Sequence, residues 1–81
     1  MAEQRLLDIT IVSPERMIFE GQAPSVILPG ENGVFEVLPF HKRLLSRLLP
    51  GYLVIGQEAF PIKRGVAKVG LNSVTIIVEE K

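Results

Sequence analysis

The chain has 81 residues, of which 47% are hydrophobic, and its nine Lys and Arg residues balance nine Asp and Glu residues. A chain of this length has room for one small hydrophobic core, so we expect a single domain over residues 1–81. The neutral net charge disfavours long-range attraction to nucleic acid or an anionic membrane, and the absence of Cys excludes disulfides and thiolate metal sites.

The first part of the sequence has the alternation that is typical of β-strands. Residues 6–12 place Leu7, Ile9 and Ile11 on one face, which predicts a half-buried strand. Ser13-Pro14 ends this strand, because Pro lacks the N–H that a strand ladder needs. Further short strands are predicted at residues 17–20, 26–28 and 34–38.

Two glycine turns precede the strand predicted at residues 34–38. Pro29-Gly30 suits the central pair of a type II turn, because Pro presets φ at the first position and Gly accepts a positive φ at the second. Asn32-Gly33 suits a tight hairpin. We therefore expect two sharp turns close together in this part of the chain.

The segment 41–49, with the sequence HKRLLSRLL, departs from the strand pattern. Its four Leu residues recur at helical spacing, and the polar residues fill the opposite face. Pro39 and Pro50 limit such a helix to about three turns. Pairing with other strands could equally draw the segment into an extended form. Both alternatives stay open.

The remaining sequence returns to short strands separated by polar turns. The turns are residues 56–58 and 70–73, which contain Gly and polar side chains. Strands are predicted at residues 52–55, 59–63, 66–69 and 74–78. Regular turn signals between short strands predict an all-β fold, namely an antiparallel β-sandwich or flattened barrel of about eight to ten strands.

The sequence offers little for catalysis. It contains one His, one Asp and four scattered Ser residues, without a nucleophile-elbow motif. His41 lacks a second His or a Cys at metal-binding spacing, and residues 30–33 are too short for a phosphate-binding loop. We therefore predict no catalytic, cofactor or metal site, and we expect the chain not to be an enzyme.

Two local features have more than one interpretation. His41 lies near a Pro, where a single His is more often a packed structural residue than a pH sensor. Lys42, Arg43 and Arg47 form a basic patch. This patch is the basis of an alternative hypothesis, a small β-barrel that binds nucleic acid, although no aromatic residues interleave it as a stacking platform would require. A solvated or protein-facing surface is favoured.

Four segments, taken in order, are similar to the N-terminal β-sandwich domain of the epsilon subunit of F-type ATP synthases. The first is a strand, a Pro-Glu turn and a Phe-containing return strand, and the second is a Gly turn that leads to a Leu-Pro-x-His corner. The third is a Leu-Leu-Ser stretch before a Pro-Gly hairpin, and the fourth is a final Gly-centred hairpin. In this sequence they read IVSPERMIFEG, VILPGENGVFEVLPFH, LLSRLLPGYLVI and IKRGVAKVGLNSVTIIVEE.

The resemblance implies a noncatalytic rotor subunit that needs no cofactor. Such a subunit grips the gamma subunit, rests on the ring of c subunits and contacts the membrane only through the complex, at the cytoplasmic face of the bacterial plasma membrane. By position, the gamma-facing residues would be Ser13, His41 and Ser46. The ring-facing residues would be Glu31, Asn32 and Gly33.

The sequence departs from the family pattern at several positions. The family usually has an acidic residue where Val34 stands, a Gly where Phe40 stands, and Ala-Pro where Lys42-Arg43 stand. The resemblance also stops at Lys81, whereas most relatives continue into a two-helix domain that regulates ATP hydrolysis and can bind ATP. We therefore expect that helical domain to be absent here, and we assign neither activity to this chain.

Overall fold

A computed structural model of the chain describes residues 5–81, so the first four residues of the predicted domain lie outside the described range. All regular structure within residues 5–81 is β-strand. The eight strands are β1 (Leu7–Val12), β2 (Met17–Ala23), β3 (Val26–Gly30), β4 (Gly33–Val37), β5 (Leu44–Leu48), β6 (Gly51–Ile55), β7 (Glu58–Val69) and β8 (Ser73–Glu80).

The strands form two layers that share β7. One layer has the order β2-β1-β8-β7-β5, and the other joins β4, β3 and β6 to the first part of β7. β7 is long enough for this because its residues 58–62 pair with β6 and its residues 65–69 pair with β5. β1 and β8 are parallel, and all other pairs are antiparallel. The predicted β-sandwich is confirmed.

The core between the layers is aliphatic and receives residues from every strand. Alternate residues of β1 and β8 are buried, as the hydrophobic alternation predicted. Phe19 and Phe60 close part of the core with an edge-to-face contact of 5.9 Å between ring centroids. The buried set is Leu7, Ile9, Ile11, Ala23, Val26, Leu28, Val37, Leu48, Leu53, Ile55, Ile62, Ala67, Val69, Val74, Ile76 and Val78.

The Leu-rich segment that had two possible states is extended. Residues 44–48 form β5, which pairs with β7 from Leu44↔Val69 to Leu48↔Gly65. A helix between Pro39 and Pro50 would be too short to offset the cost of nucleation by itself. The ladder with β7 satisfies the same backbone groups and buries Leu48.

The two strands predicted at residues 59–63 and 66–69 are one continuous strand, so this boundary was wrong. A β-bulge between Ile62 and Arg64 keeps the pairing with β8 through the Arg-Gly step. Gly65 is needed for close approach and not for a turn, because a Cβ there would stand 2.6 Å from the backbone oxygen of Ile77.

The predicted type II turn at Pro29-Gly30 is also wrong. Both residues lie in β3, and the glycines with positive φ are Gly33, at 119°, and Gly56, at 59°. The predicted hairpin is confirmed, but its two connecting residues are Glu31 and Asn32, since Gly30 pairs with Gly33. A positive φ directly after a two-residue turn resembles the bulged hairpin in which Gly is favoured.

Candidate functional site

The tip of the β3–β4 hairpin projects from the sandwich. Glu31, Asn32 and Gly33 are exposed, and the side chain of Val34 beside them is 74% exposed. The tip lines a shallow groove of about 360 Å³ that continues to Ser46 in β5. The fold therefore brings together the three predicted ring-facing residues and one of the predicted gamma-facing residues.

Ser13 is buried, with 8% of its surface exposed, in the turn between β1 and β2. Its hydroxyl oxygen accepts hydrogen bonds from the backbone N–H groups of Glu15 and Arg16, both at 3.2 Å, and donates one to the Arg16 carbonyl at 3.4 Å. Ser13 thus shapes the turn that carries Pro14 and Glu15. Its contact with a partner stays a prediction.

His41 and Ser46 are half-buried on either side of the start of β5. The Nδ1 atom of His41 lies 2.7 Å from the carbonyl oxygen of Lys42, and because a carbonyl only accepts, Nδ1 carries the hydrogen. The Ser46 hydroxyl donates to the Arg47 carbonyl at 3.0 Å. Both side chains hold local backbone and leave part of their surface exposed, so both stay candidates for partner contact.

An apolar row crosses the outer face of the larger layer, and we define it as Val66, Ile77, Val12 and Met17. The register places Val66 opposite Ile77, Ile77 opposite Val12, and Val12 opposite Met17. Val66, Ile77 and Met17 are 41%, 55% and 50% exposed. Pro14, in the Ser13 turn, helps to line a depression that includes Val66 and Ile77. The row is a contiguous exposed apolar surface of the kind that marks a protein interface.

Basic residues at one end of this row have no carboxylate partner among the described residues. The ion pairs within residues 5–81 are Arg16–Glu80 at 2.7 Å, Arg64–Glu79 at 2.9 Å and Lys63–Glu79 at 3.9 Å. The hydrogen bond from Arg16, together with its charge, lowers the pKa of Glu80. The cations left outside these pairs around β5 are Lys42, Arg43, Arg47 and Lys68.

A family model for the ATP synthase delta/epsilon chain beta-sandwich domain matches residues 6–81. The chain belongs to this family. The match covers every strand of the sandwich, from β1 to β8. The hairpin tip, the Ser13 turn and the apolar row are therefore all parts of a delta/epsilon-type domain.

Similar curated proteins are ATP synthase epsilon chains of bacteria. The chain is 44% identical over 78 residues to that of a Nitratiruptor species, 40% over 76 residues to that of Bordetella avium, and 40% over 78 residues to that of Maricaulis maris. These alignments cover 88–91% of this chain but only 54–60% of the relatives. The chain thus spans less than two thirds of the length of these epsilon chains.

Two solved structures have the same fold. One belongs to the mitochondrial ATP synthase of Euglena gracilis, with a TM-score of 0.83 and 22% identity over 93% of this chain and 51% of that one. The other belongs to the central stalk and c-ring of the Tetrahymena thermophila mitochondrial enzyme, with a TM-score of 0.75 and 16% identity over 98% of this chain and 67% of that one. At these identities the likeness establishes the delta/epsilon sandwich fold.

Phe40, in the corner before His41, has an unusual backbone for its residue type. Its φ is 63°, in the left-handed region that favours glycine, and the resemblance to the epsilon family implied a Gly here. The ring is 52% exposed, and the Arg5 guanidinium lies over it at 5.2 Å from the centroid. The corner of this delta/epsilon-type domain therefore carries a bulky aromatic residue in a strained conformation.

The sequence does not predict the apolar row of this delta/epsilon-type domain. Alternation shows that Val12, Val66 and Ile77 point away from the core, but it does not give the register between their strands. The parallel pairing of β1 with β8 is what aligns them. Within residues 5–81 the structure has no helix of the length and apolar character needed to cross a membrane, and no three His, Asp or Glu side chains grouped as metal ligands would be.

Proposed function

We propose that the chain is a noncatalytic subunit of the central stalk of an F-type ATP synthase. In this role it docks on the gamma subunit and on the c-ring and couples ion-driven rotation to ATP synthesis. The observation that carries the proposal is the match of residues 6–81 to the delta/epsilon family. The geometry supports it, because a coupling subunit needs a stiff scaffold with exposed contact surfaces and needs no catalytic groups.

On the gamma side, the proposal assigns Ser13, His41 and Ser46 to the interface. The Ser13 turn borders the apolar row, whereas Ser46 lies on the other face of β5, in the groove that continues from the hairpin tip. Exposed aliphatic side chains such as Ile77 would supply the apolar centre of the contact. Ser13 would contribute by stabilising the turn, whereas His41 and Ser46 are partly exposed and could contact gamma directly.

On the ring side, the proposal assigns the hairpin tip, Glu31, Asn32 and Gly33. A two-residue connection between paired strands keeps this tip short and stiff, so it can transmit force without bending. The polar groups of the tip and the exposed side chain of Val34 suit contact with a polar loop of a c subunit that also has some apolar surface. Through these contacts the chain would lie at the cytoplasmic face of a bacterial plasma membrane, which agrees with its bacterial relatives.

Binding to purified gamma subunit tests the first contact. We expect the chain to form a complex with gamma and to show no ATPase activity alone. Ile77→Asp should weaken the complex at least about tenfold, because it puts a charge in the centre of the apolar row. Tyr52→Asp is the matched control, since Tyr52 is 59% exposed on β6 and lies outside the row. A wild-type chain that does not bind gamma would count decisively against the proposal.

Crosslinking tests the ring contact, because the chain has no Cys of its own. With Asn32→Cys we expect a crosslink to a c subunit in membranes that contain the assembled enzyme. Gln57→Cys, in the exposed turn between β6 and β7, is the control and should give none. Equal crosslinking of both variants would show that the hairpin tip is not the ring-facing part.

A further inference from the structure

The outer face of the larger layer carries a square of alternating apolar and basic side chains, which we call the β5–β7 block. Leu45 lies opposite Lys68, and Arg47 lies opposite Val66. Opposite side chains on one face of an antiparallel pair have Cβ atoms about 5 Å apart, and diagonal ones are about 7–8 Å apart. Leu45 is 71% exposed. Two cations and two aliphatic side chains are thus held on a small, rigid area.

Nothing on the neighbouring strand neutralises the cations of the β5–β7 block. Lys68 faces Thr75 across β8, and Val66 faces Ile77. Further along β7, in contrast, Lys63 and Arg64 both reach Glu79. Within β7, Lys63 and Arg64 therefore share one carboxylate, whereas Lys68 is in none of the ion pairs of the described residues.

The opposite end of the same face is acidic. The register connects Lys68 to Thr75, Thr75 to Thr10, and Thr10 to Glu20. Three strand spacings separate Lys68 from Glu20, which is about 14 Å. Asp8 lies on the same face of β1, where its carboxylate accepts a hydrogen bond from Gln22 at 2.7 Å. The face is therefore basic at β5 and β7 and acidic at β1 and β2, with Thr75 and Thr10 between these ends and the apolar row running alongside, two residues further along each strand.

We propose that this bipolar face recognises a protein surface with the opposite arrangement, in which carboxylates meet the β5–β7 block and cations meet Glu20 and Asp8. A uniformly anionic surface, such as nucleic acid or a membrane, fits less well because Glu20 and Asp8 would repel its phosphates. Opposite charges at two ends of one face also allow only one orientation of the partner. The inference rests on the proposed function only in taking gamma as that partner.

Charge reversal in complexes with purified gamma tests the proposal. We expect the double variant Arg47→Glu/Lys68→Glu to bind at least about tenfold more weakly, mostly through slower association. Lys63→Glu, on the same strand but outside the block, should bind as the wild type does. Arg47→Lys keeps the charge and should retain binding. Circular dichroism verifies that every variant is folded. A double variant that binds as tightly as the wild type would overturn the proposal, even though gamma binding itself stood.

A second measurement does not depend on gamma. In amide NMR spectra of the labelled chain, we expect a short poly-glutamate peptide to shift signals of residues 43–48 and 65–69, and Arg47→Glu/Lys68→Glu to abolish these shifts. Short single-stranded DNA is the competing ligand. The inference would be overturned in favour of a nucleic-acid surface if DNA bound these residues more tightly than the peptide and its affinity fell steeply on adding salt. An unshifted spectrum with the peptide would also contradict it.

Discussion

The Phe35 ring lies directly against Gly30, so that a Cβ on Gly30 would stand 2.6 Å from Phe35 Cε1 and 2.8 Å from Cδ1. This contact joins the last residue of β3 to β4 at the base of the hairpin tip. The glycine is therefore required by the ring that packs on it and not by its own φ. This packing adds to the two-residue connection at the base of the tip.

Gly30→Ala should therefore destabilise the chain by about 1–3 kcal/mol, because the Phe35 ring must move out of its place. Denaturant unfolding measures the change. Combining it with Phe35→Leu gives the control, since a smaller side chain leaves room for the new methyl group. The double variant should lose less than the sum of the two single changes. Strict additivity would contradict this account of Gly30.

Gly65→Ala should be more severe, with a loss of about 3 kcal/mol or more, because the new Cβ would meet the Ile77 backbone oxygen at 2.6 Å. A backbone atom in the middle of a ladder cannot move aside without disturbing the strand pairing. Gly21→Ala is the control, since its nearest neighbour is the tip of the Phe19 ring at 3.3 Å. We expect thermal unfolding to separate the two variants clearly, and similar midpoints would refute the explanation.

Phe40 allows a comparison that isolates backbone strain. Phe40→Gly and Phe40→Ala both remove the ring and its contact with Arg5, but only Gly accepts a φ of 63° without steric cost. We expect the Gly variant to be about 1 kcal/mol more stable than the Ala variant. Chemical denaturation of the two proteins is sufficient. An Ala variant as stable as the Gly variant would show that this φ carries no strain.

The Arg16–Glu80 pair should make stability depend on pH in one direction. The hydrogen bonds from Arg16 and its charge lower the pKa of Glu80 in the folded chain below its ordinary value of 4.5. The pair therefore stabilises the fold above that value, and this contribution is lost as the pH falls through the folded pKa. Because the side chain of Arg16 is exposed and that of Glu80 is partly exposed, added salt should reduce it as well.

The measurement is the stability difference between wild type and Glu80→Gln, taken from neutral pH down to acid. We expect the difference to be largest at neutral pH and to shrink as the carboxylate is protonated. Glu58→Gln changes an exposed carboxylate that is not in any of the described ion pairs, and it is the control. A difference for Glu80→Gln that stays constant with pH would contradict the assignment.

Strand positions could be predicted from the sequence wherever alternation was strong, and less well where glycine or helical spacing intervened. Leu7, Ile9 and Ile11 follow the alternation into the core. Residues 59–63 and 66–69 were predicted as two strands, whereas Gly65 lies within β7 and permits close approach to β8. The state of residues 44–48 could not be decided locally, since the pairing with β7 that stabilises them comes from residues about 20 positions away.

The candidate surfaces were predictable only in part. Local turn chemistry predicted a hairpin at Asn32-Gly33, and the structure has the hairpin with Glu31 and Asn32 as its two connecting residues. The burial of Ser13 could not be predicted, because it depends on how the β1–β2 turn folds over the Ser13 hydroxyl group. The apolar row depends on the register between β1 and β8, which links residues more than 60 positions apart and leaves no local signal.

The parallel pairing of β1 with β8 has a consequence for how the chain is made. β1 leaves the ribosome early, but until Ser73–Glu80 has followed it can pair only with β2. Its other edge, with unpaired backbone N–H and C=O groups, stays open for the whole synthesis of the strands between. Closure of the sandwich is therefore a late, long-range step, and we expect nascent chains to be most prone to aggregation just before it.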